Sequence, residues 1–474
     1  MKGTYRSALL IAAVLVPVAA GAQPGGSGAS AEPGVTFATD IAPILQRSCQ
    51  QCHRPDSVAP MSLLTYEETR PWARAIKART ALRHRRGAMP PWFVEKDIGI
   101  QHFKNDPSLS EDEIEAIAIW ADNGAPLGNP ADLPPPLEFA GEDEWTIGEP
   151  DLILESPEVV VPASAPDSWT SLGRLETGLT EDRYVAAVEV REFNDVPRTQ
   201  ASGTVGGRYV FHHMNYGSLG PDADAGQRPD GWPVHEVGRN ADVFPPEAGR
   251  LLEAGSVLDL HNAHLHSNGR ETRAHLKFAF KLHPRGYEPA VRYARTFVGN
   301  GVDIDIKPNQ ADQELHAYRV LDAHTKLLSF EPHQHAPGTR MCLEAIWGHN
   351  IETLSCVGYD HNWVKQYIFE DDHAPLLPKG TILHIIGWLD TTPANRNVAD
   401  PRNWSGGGRR SVSNMFIDLG LAYELSDEQF EQEMAERRSR LQLARNDHVI
   451  GCPLCQVEFP SQAAAADDQQ DDQQ

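Results

Sequence analysis

The sequence predicts a multidomain chain: a small all-α domain followed by two all-β, jelly-roll-like sandwiches. Three observations predict it. Residues 35–126 place apolar side chains at helical spacing. After about Trp145 the texture changes to short alternating runs, such as Tyr184 to Val190, separated by Gly, Pro, Asn and Asp clusters. Between the two lies Leu133 to Pro136, with three consecutive prolines. The 474 residues leave room for about three domains.

The elements follow in order. Residues 1–22 read as a secretory signal peptide: Lys2 and Arg6 make a basic start, Ala8 to Ala20 an apolar run, and Ala20-Gly21-Ala22 a small-x-small cleavage site. The run is too short for a membrane anchor. Residues 23–34, rich in Gly, Ser and Pro, form a linker. Residues 35–130 form the helical domain. Within it Ser110 and Glu113 make a capping box ahead of Ile114, Ile117 and Ala118, and Gly124 suits the C-terminal cap. Residues 131–145 are the proline-rich linker, 146–285 the first sandwich and 286–425 the second. Residues 426–474 hold a charged helix from Ser426 to Arg445, a Cys-x-x-Cys and an acidic tail. No repeat of fixed period is present.

Charge narrows the partners. With 42 basic and 66 acidic residues the formal net charge is −24, which argues against nucleic acid or anionic lipid. No later stretch approaches 18 consecutive apolar residues, so no membrane insertion is expected. Export, to the periplasm or beyond, puts the six cysteines where disulfides persist.

Cys49-Gln50-Gln51-Cys52-His53 is the Cys-x-x-Cys-His pattern of covalent c-type haem attachment. Two thiols three residues apart can each add to a haem vinyl group, and the adjacent imidazole then lies under the iron. A second axial ligand is expected for electron transfer. Met89 is favoured, because Gly87-Ala88-Met89-Pro90-Pro91-Trp92 is a loop stiffened by prolines. Met61 reads as core, and His84 is the remaining alternative. The order helix, Cys-x-x-Cys-His, helix, Met loop, last helix resembles a class I cytochrome c over residues 35–130. It implies one covalent haem c and an electron carrier.

Twenty histidines are present, and their spacing matters more than their number. Three clusters stand out: His212-His213, the pair His264 and His266 with His261 nearby, and His333-Gln334-His335. Alternate strand residues share a face, so His333 and His335 can chelate one metal, and so can His264 and His266. His261 falls on the opposite face. Adjacent His212 and His213 can ligate together only where the strand ends or bulges. His235, His349 and His361 lack partners at chelating spacing and read as ordinary.

These clusters, with Met415 some 80 residues after the His-x-His, resemble the copper type II, ascorbate-dependent monooxygenases, the group of peptidylglycine and dopamine hydroxylases. The resemblance runs from about Glu149 to Tyr423. It implies two β-sandwiches, each holding one copper ion. His212, His213 and one of His264 and His266, with His264 favoured, would form a three-histidine site. His333, His335 and Met415 would form the second site and carry the catalysis. A thioether stabilises Cu(I), the state that must meet dioxygen. Two departures bear on the substrate. The family's carboxylate-binding arginine, two residues before the His-x-His, is Glu331 here, and its tyrosine four residues after the Met is Leu419. A peptide C-terminus is therefore a poor fit, and a neutral or cationic small molecule suits the position better.

Cys342 and Cys356 flank Gly348-His349-Asn350 symmetrically, so a hairpin would set them opposite each other as a cross-strand disulfide. Cys452-Pro453-Leu454-Cys455 could be a redox pair or half a zinc site, but with only His448 nearby and no second Cys-x-x-Cys a plain disulfide is favoured. The expectation is a periplasmic copper monooxygenase hydroxylating a C–H bond with O2. Its electrons would come through the haem from an ascorbate-like reductant or a periplasmic redox protein. The rival expectation is an electron-transfer or copper-binding protein without hydroxylase activity. The short linker from Asp132 to Gly141 would hold the haem domain beside the first sandwich, where it would reduce the three-histidine copper directly.

Overall fold

The structure, a computed structural model, describes residues 34–455 apart from 56, 58, 60, 140–143, 198–206, 225, 237–240, 301–303, 409–412, 445 and 446. The expected signal peptide and acidic tail lie outside the described residues. The chain is mostly β-sheet with few helices. No helix among the described residues is long and apolar enough to cross a membrane.

The helices come first. Ala42–Ser48, Ala73–Thr80 and Glu111–Asp122 gather around Phe37, Ile41, Leu45, Leu63, Ile117 and Trp120, all nearly or fully buried. Ser110 and Glu113 form both halves of the capping box at the start of the last helix. Gly124, at φ +84°, takes the left-handed position just past its end. The Trp120 indole donates to the Pro126 carbonyl at 3.1 Å and ties the following turn to this core.

One segment departs from the helical pattern expected up to Pro126. Val94–Gly99 is a strand. It adds to the edge of a five-stranded sheet of the second sandwich, beside Asn350–Gly358, followed in order by Gly338–Trp347, Ile382–Leu389 and Gln313–Val320. Trp92, Val94, Ile100 and Phe103 are buried in the same core as Leu343, Leu383 and Phe416. Burying side chains of this size contributes about 1.5–3 kcal/mol each. Glu95 forks onto the Arg340 guanidinium (2.9 Å at Nη2), and Lys104 pairs with Asp371.

These contacts correct the expected placement of the helical layer beside the first sandwich. The linker does not override them, because it folds back on the helices. Gln46 donates to the Pro135 carbonyl at 2.8 Å, and the Arg54 guanidinium lies 4.6 Å over the Phe139 ring.

The first sandwich packs two six-stranded sheets. One is built on Arg183–Asn194 and Thr272–Leu282, the other on Phe211–Leu219 and Val257–Leu265. Val188, Phe211, Met214, Tyr216, Leu258, Leu260, Phe278 and Phe280 fill the space between them. In the second sandwich, the five-stranded sheet is covered by shorter ones that include Pro332–Gln334 paired with Phe416–Asp418. The hairpin of Gly338–Trp347 and Asn350–Gly358 sets Cys342 directly opposite Cys356, and the two are disulfide-bonded with Cα atoms 4.1 Å apart.

Cys452 and Cys455 form a second disulfide. It packs with Phe430 and Met434 of the Asp427–Arg440 helix on Leu376 and Tyr423. That helix ends five residues before the expected Arg445, its last turn carrying Arg437, Arg438 and Arg440.

Candidate metal centre

Two strands set the first histidine cluster. Phe211–Leu219 pairs with Val257–Leu265 in antiparallel register, His213 opposite His264 and then Phe211 opposite Leu265. His212 is the extra residue of a β-bulge. The bulge turns a side chain that a regular strand would point away, and both adjacent histidines reach one point. His212 Nδ1 lies 2.9 Å from His213 Nδ1, and His213 Nε2 lies 3.2 Å from His264 Nδ1. Ligand atoms of the three fall within 4.8 Å of one another. A metal binding imidazoles at about 2.0–2.1 Å fits a nitrogen set this compact.

His264 is 1% exposed and closes this trio. His266 turns to Asp167, 3.1 Å from its carboxylate, and touches His264 at 2.9 Å. His261 is exposed, on the other side of the strand. Trp169, the cross-strand partner of His264, stacks on that imidazole with centroids 4.1 Å apart and planes 6° off parallel.

The second cluster is built the same way. Pro332–Gln334 pairs with Phe416–Asp418, His333 opposite Ile417 and Gln334 opposite Phe416. His335 directly follows the one strand and Met415 directly precedes the other, so both flank the same end of the paired segment. The His333 and His335 rings are 5.5 Å apart. The Ser413 carbonyl lies 3.1 Å from His335 Nδ1 and orients the ring. His333 Nδ1 is buried with no hydrogen-bond partner. An orphaned imidazole nitrogen in a dry site costs about 1–3 kcal/mol and is what a missing metal would satisfy.

Burial, then neighbouring imidazoles, pushes His212, His264 and His333 down to about 3, and His213 well below its ordinary value. All are therefore neutral, the form that binds metal. Imidazoles of the second cluster add to this lowering, His333 for His213 and His335 for His264.

Each cluster is anchored by a buried carboxylate that the sequence alone did not single out. Glu192 accepts the backbone N–H groups of Val210 and Phe211, at 3.0 and 2.8 Å, just before His212. Asp418 accepts those of Glu331 and Gly420, both at 2.9 Å, with Glu331 two residues before His333. Burial pushes their carboxyl groups up to about 7 and about 6 respectively.

At the Cys-x-x-Cys-His pattern, Cys49 and Cys52 are free thiols. Burial pushes the Cys49 thiol up to about 12. The Met61 carbonyl, 3.2 Å from His53 Nδ1, orients the ring so that Nε2 is left for an axial bond. These residues fit a covalent haem. Met61 packs on the helical core, and Met89 sits half-buried in its loop.

His361, read from the sequence as ordinary, lies beside the second cluster. Its ring is 6.1 Å from that of His335, and its charge would be felt by His212, His213, His264 and His333. No local spacing marks it, because the fold brings it in from a turn 26 positions beyond His335.

No known family profile and no curated protein matches the chain. Among solved structures it is similar to the cowpea mosaic virus top component, the naturally occurring empty particles. That match is at 10% identity and a TM-score of 0.25, over 58% of this chain and 90% of that one. It is also similar to the N-terminal CBM22-1-CBM22-2 tandem domain of Paenibacillus barcinonensis Xyn10C. There the identity is 9% and the TM-score 0.18, over 60% of this chain and 95% of that one. Likenesses this faint carry no argument about fold or function.

Proposed function

We propose that the chain is an exported, copper-dependent monooxygenase that hydroxylates a C–H bond of a small neutral or cationic molecule with O2. Its electrons arrive through a covalent c-type haem held by a cytochrome c-like domain. The observation that carries this reading is the gathering of His212, His213 and His264 within 4.8 Å on the first sandwich, with His333 and His335 paired at 5.5 Å on the second. His212, His213 and His264 would hold one copper, and His333, His335 and Met415 the other. Cys49, Cys52, His53 and Met89 would hold the haem. When bound, the coppers supply dioxygen activation and electron storage, and the haem supplies electrons from an ascorbate-like or protein donor.

The chain's own residues set the conditions. The bulge at His212 and the register of His333 aim ring nitrogens inward. Trp169 and the Ser413 carbonyl fix ring orientation. Burial keeps His212, His213, His264 and His333 neutral. Glu331, 4% exposed, puts a carboxylate two residues from His333, which disfavours an anionic substrate. The Met89 loop packs toward the second sandwich, so electrons enter nearest His333 and His335. In support, the Gly87 N–H donates to Asp360 Oδ2 at 3.0 Å.

The test is oxygen incorporation. Copper-loaded full-length protein with ascorbate and ¹⁸O₂ is offered a panel of neutral and cationic small molecules, and products are read by mass spectrometry. Label should enter one product and vanish in His333→Ala. Copper bound without incorporation for any candidate would favour the electron-transfer or copper-binding reading.

A further inference from the structure

His264 turns its two ring nitrogens to different neighbours. Nδ1 lies 3.2 Å from His213 Nε2, whereas Nε2 lies 2.9 Å from His266 Nε2. Asp167 Oδ2 closes a triangle with this second pair, 3.4 Å from His264 Nε2 and 3.1 Å from His266 Nε2. The backbone sets up the meeting. Ser168–Thr170 pairs with Val257–Leu265, Trp169 opposite His264. Asp167 directly precedes the one strand and His266 directly follows the other, so both flank the same end of the pair. Hydrogen bonds pin that end. Ser267 Oγ accepts the Ala165 N–H at 2.9 Å and donates to the Pro162 carbonyl at 2.8 Å, and the His266 N–H donates to the Val210 carbonyl at 2.9 Å.

Hydrogen bonding cannot satisfy all three sides of the triangle. Each ring nitrogen carries at most one proton, and an ionised carboxylate only accepts. If both nitrogens are protonated, both donate to Asp167 and their own 2.9 Å contact joins two donors. If one is protonated, its single proton serves one of its two contacts. One metal ion among the three atoms satisfies every side at once. Zinc bound to imidazole nitrogen and carboxylate oxygen at about 2.0–2.2 Å keeps its ligands roughly 3–3.5 Å apart. The observed sides run from 2.9 to 3.4 Å. His264 is buried and the Asp167 side chain is 54% exposed. The set is thus fixed at its inner corner and open at its outer one, where water can take a fourth position.

We propose that Asp167, His264 and His266 hold a zinc ion of their own, distinct from the proposed copper at His212 and His213. The donor set has no thiolate or thioether, and its carboxylate is a hard ligand, which suits zinc better than Cu(I). The two sites share the His264 ring but not the same nitrogen. With both ions bound, His264 bridges them as an imidazolate, and its ring proton leaves to solvent. That bridge rests on the copper reading of His212 and His213; the zinc site does not.

The experiment uses full-length protein carrying His212→Ala, His213→Ala, His333→Ala and His335→Ala, which keeps Asp167, His264 and His266. It is equilibrated with zinc sulfate alone, and bound zinc is counted by elemental analysis. Adding Asp167→Ala or His266→Ala should each lower the count by one ion per chain. Adding His102→Ala, which breaks the exposed group of His102, Glu370 and His373, should leave the loss caused by Asp167→Ala unchanged. Equal uptake with and without Asp167 overturns the proposal, and so does a parent that binds no zinc. Asp167→Ala alone, in the otherwise unaltered chain loaded with both metals, gives the answer without the multiple variant. Loss of one zinc with copper retained supports the site. Retention of zinc, or loss of copper in its place, overturns it, the latter by assigning Asp167 to the copper set.

Discussion

At the scale of single residues, the histidines are held by groups that never touch a metal. Glu192 is the most testable. Its carboxyl is pushed up to about 7 by burial, whereas an unfolded glutamate titrates near about 4.3. From about pH 4 to about pH 7 the folded chain therefore keeps a proton that the unfolded chain has lost. Its contribution falls as pH rises through that window. Metal-free Glu192→Gln should lose less stability than the parent between about pH 5 and about pH 8, read as urea midpoints. Equal slopes would contradict the burial argument. Trp169→Ala, which removes the stack on His264, should weaken copper at the three-histidine site without affecting the other. Competition with a colorimetric chelator would show it.

At the scale of elements, much was legible because the pattern is local. The His-x-His of 333 and 335 needs only the two-residue period of a strand. The capping box at Ser110 needs four consecutive residues. The Cys342–Cys356 pairing needs a hairpin centred on its own turn. For the 14-residue separation of that disulfide, loop-closure entropy gives about 3 kcal/mol. Cys342→Ser/Cys356→Ser should lower unfolding stability by about 2–4 kcal/mol, and reductant should lower the parent similarly.

Val94–Gly99 was not legible. Its sequence, Val-Glu-Lys-Asp-Ile-Gly, has no alternation, and its strand state comes from the free edge of another sheet, a tertiary override of local preference. Gly99 shows how tight that seam is. At φ +66°, an added Cβ would stand 2.4 Å from the Leu354 carbonyl oxygen. Gly99→Ala should destabilise by about 1–3 kcal/mol and raise amide exchange along Asn350–Gly358. Unchanged exchange there would mean the strand is dispensable.

At the scale of the whole molecule, what a linear reading cannot supply is which surfaces meet. Linker composition suggested the first sandwich as the neighbour of the helical layer. Edge-strand addition and the shared apolar core put it on the second. The same tertiary placement brings His361 and Asp167 to the histidines, since neither has a partner at chelating distance in sequence. With the helical layer on the second sandwich, oxidation of prereduced haem in the loaded protein should be independent of protein concentration. It should persist in His212→Ala and slow in His333→Ala; the opposite pattern would return electron entry to the three-histidine site.

The central claim is that one polypeptide carries a c-type haem and two copper sites. It is tested most directly by haem quantification and elemental analysis of the full-length chain expressed through the periplasm. The account predicts one covalent haem and two coppers per chain, falling to one copper in His333→Ala and to one in His213→Ala. Haem lost on denaturation, a chain loaded with zinc alone, or both coppers lost from either single substitution would contradict it.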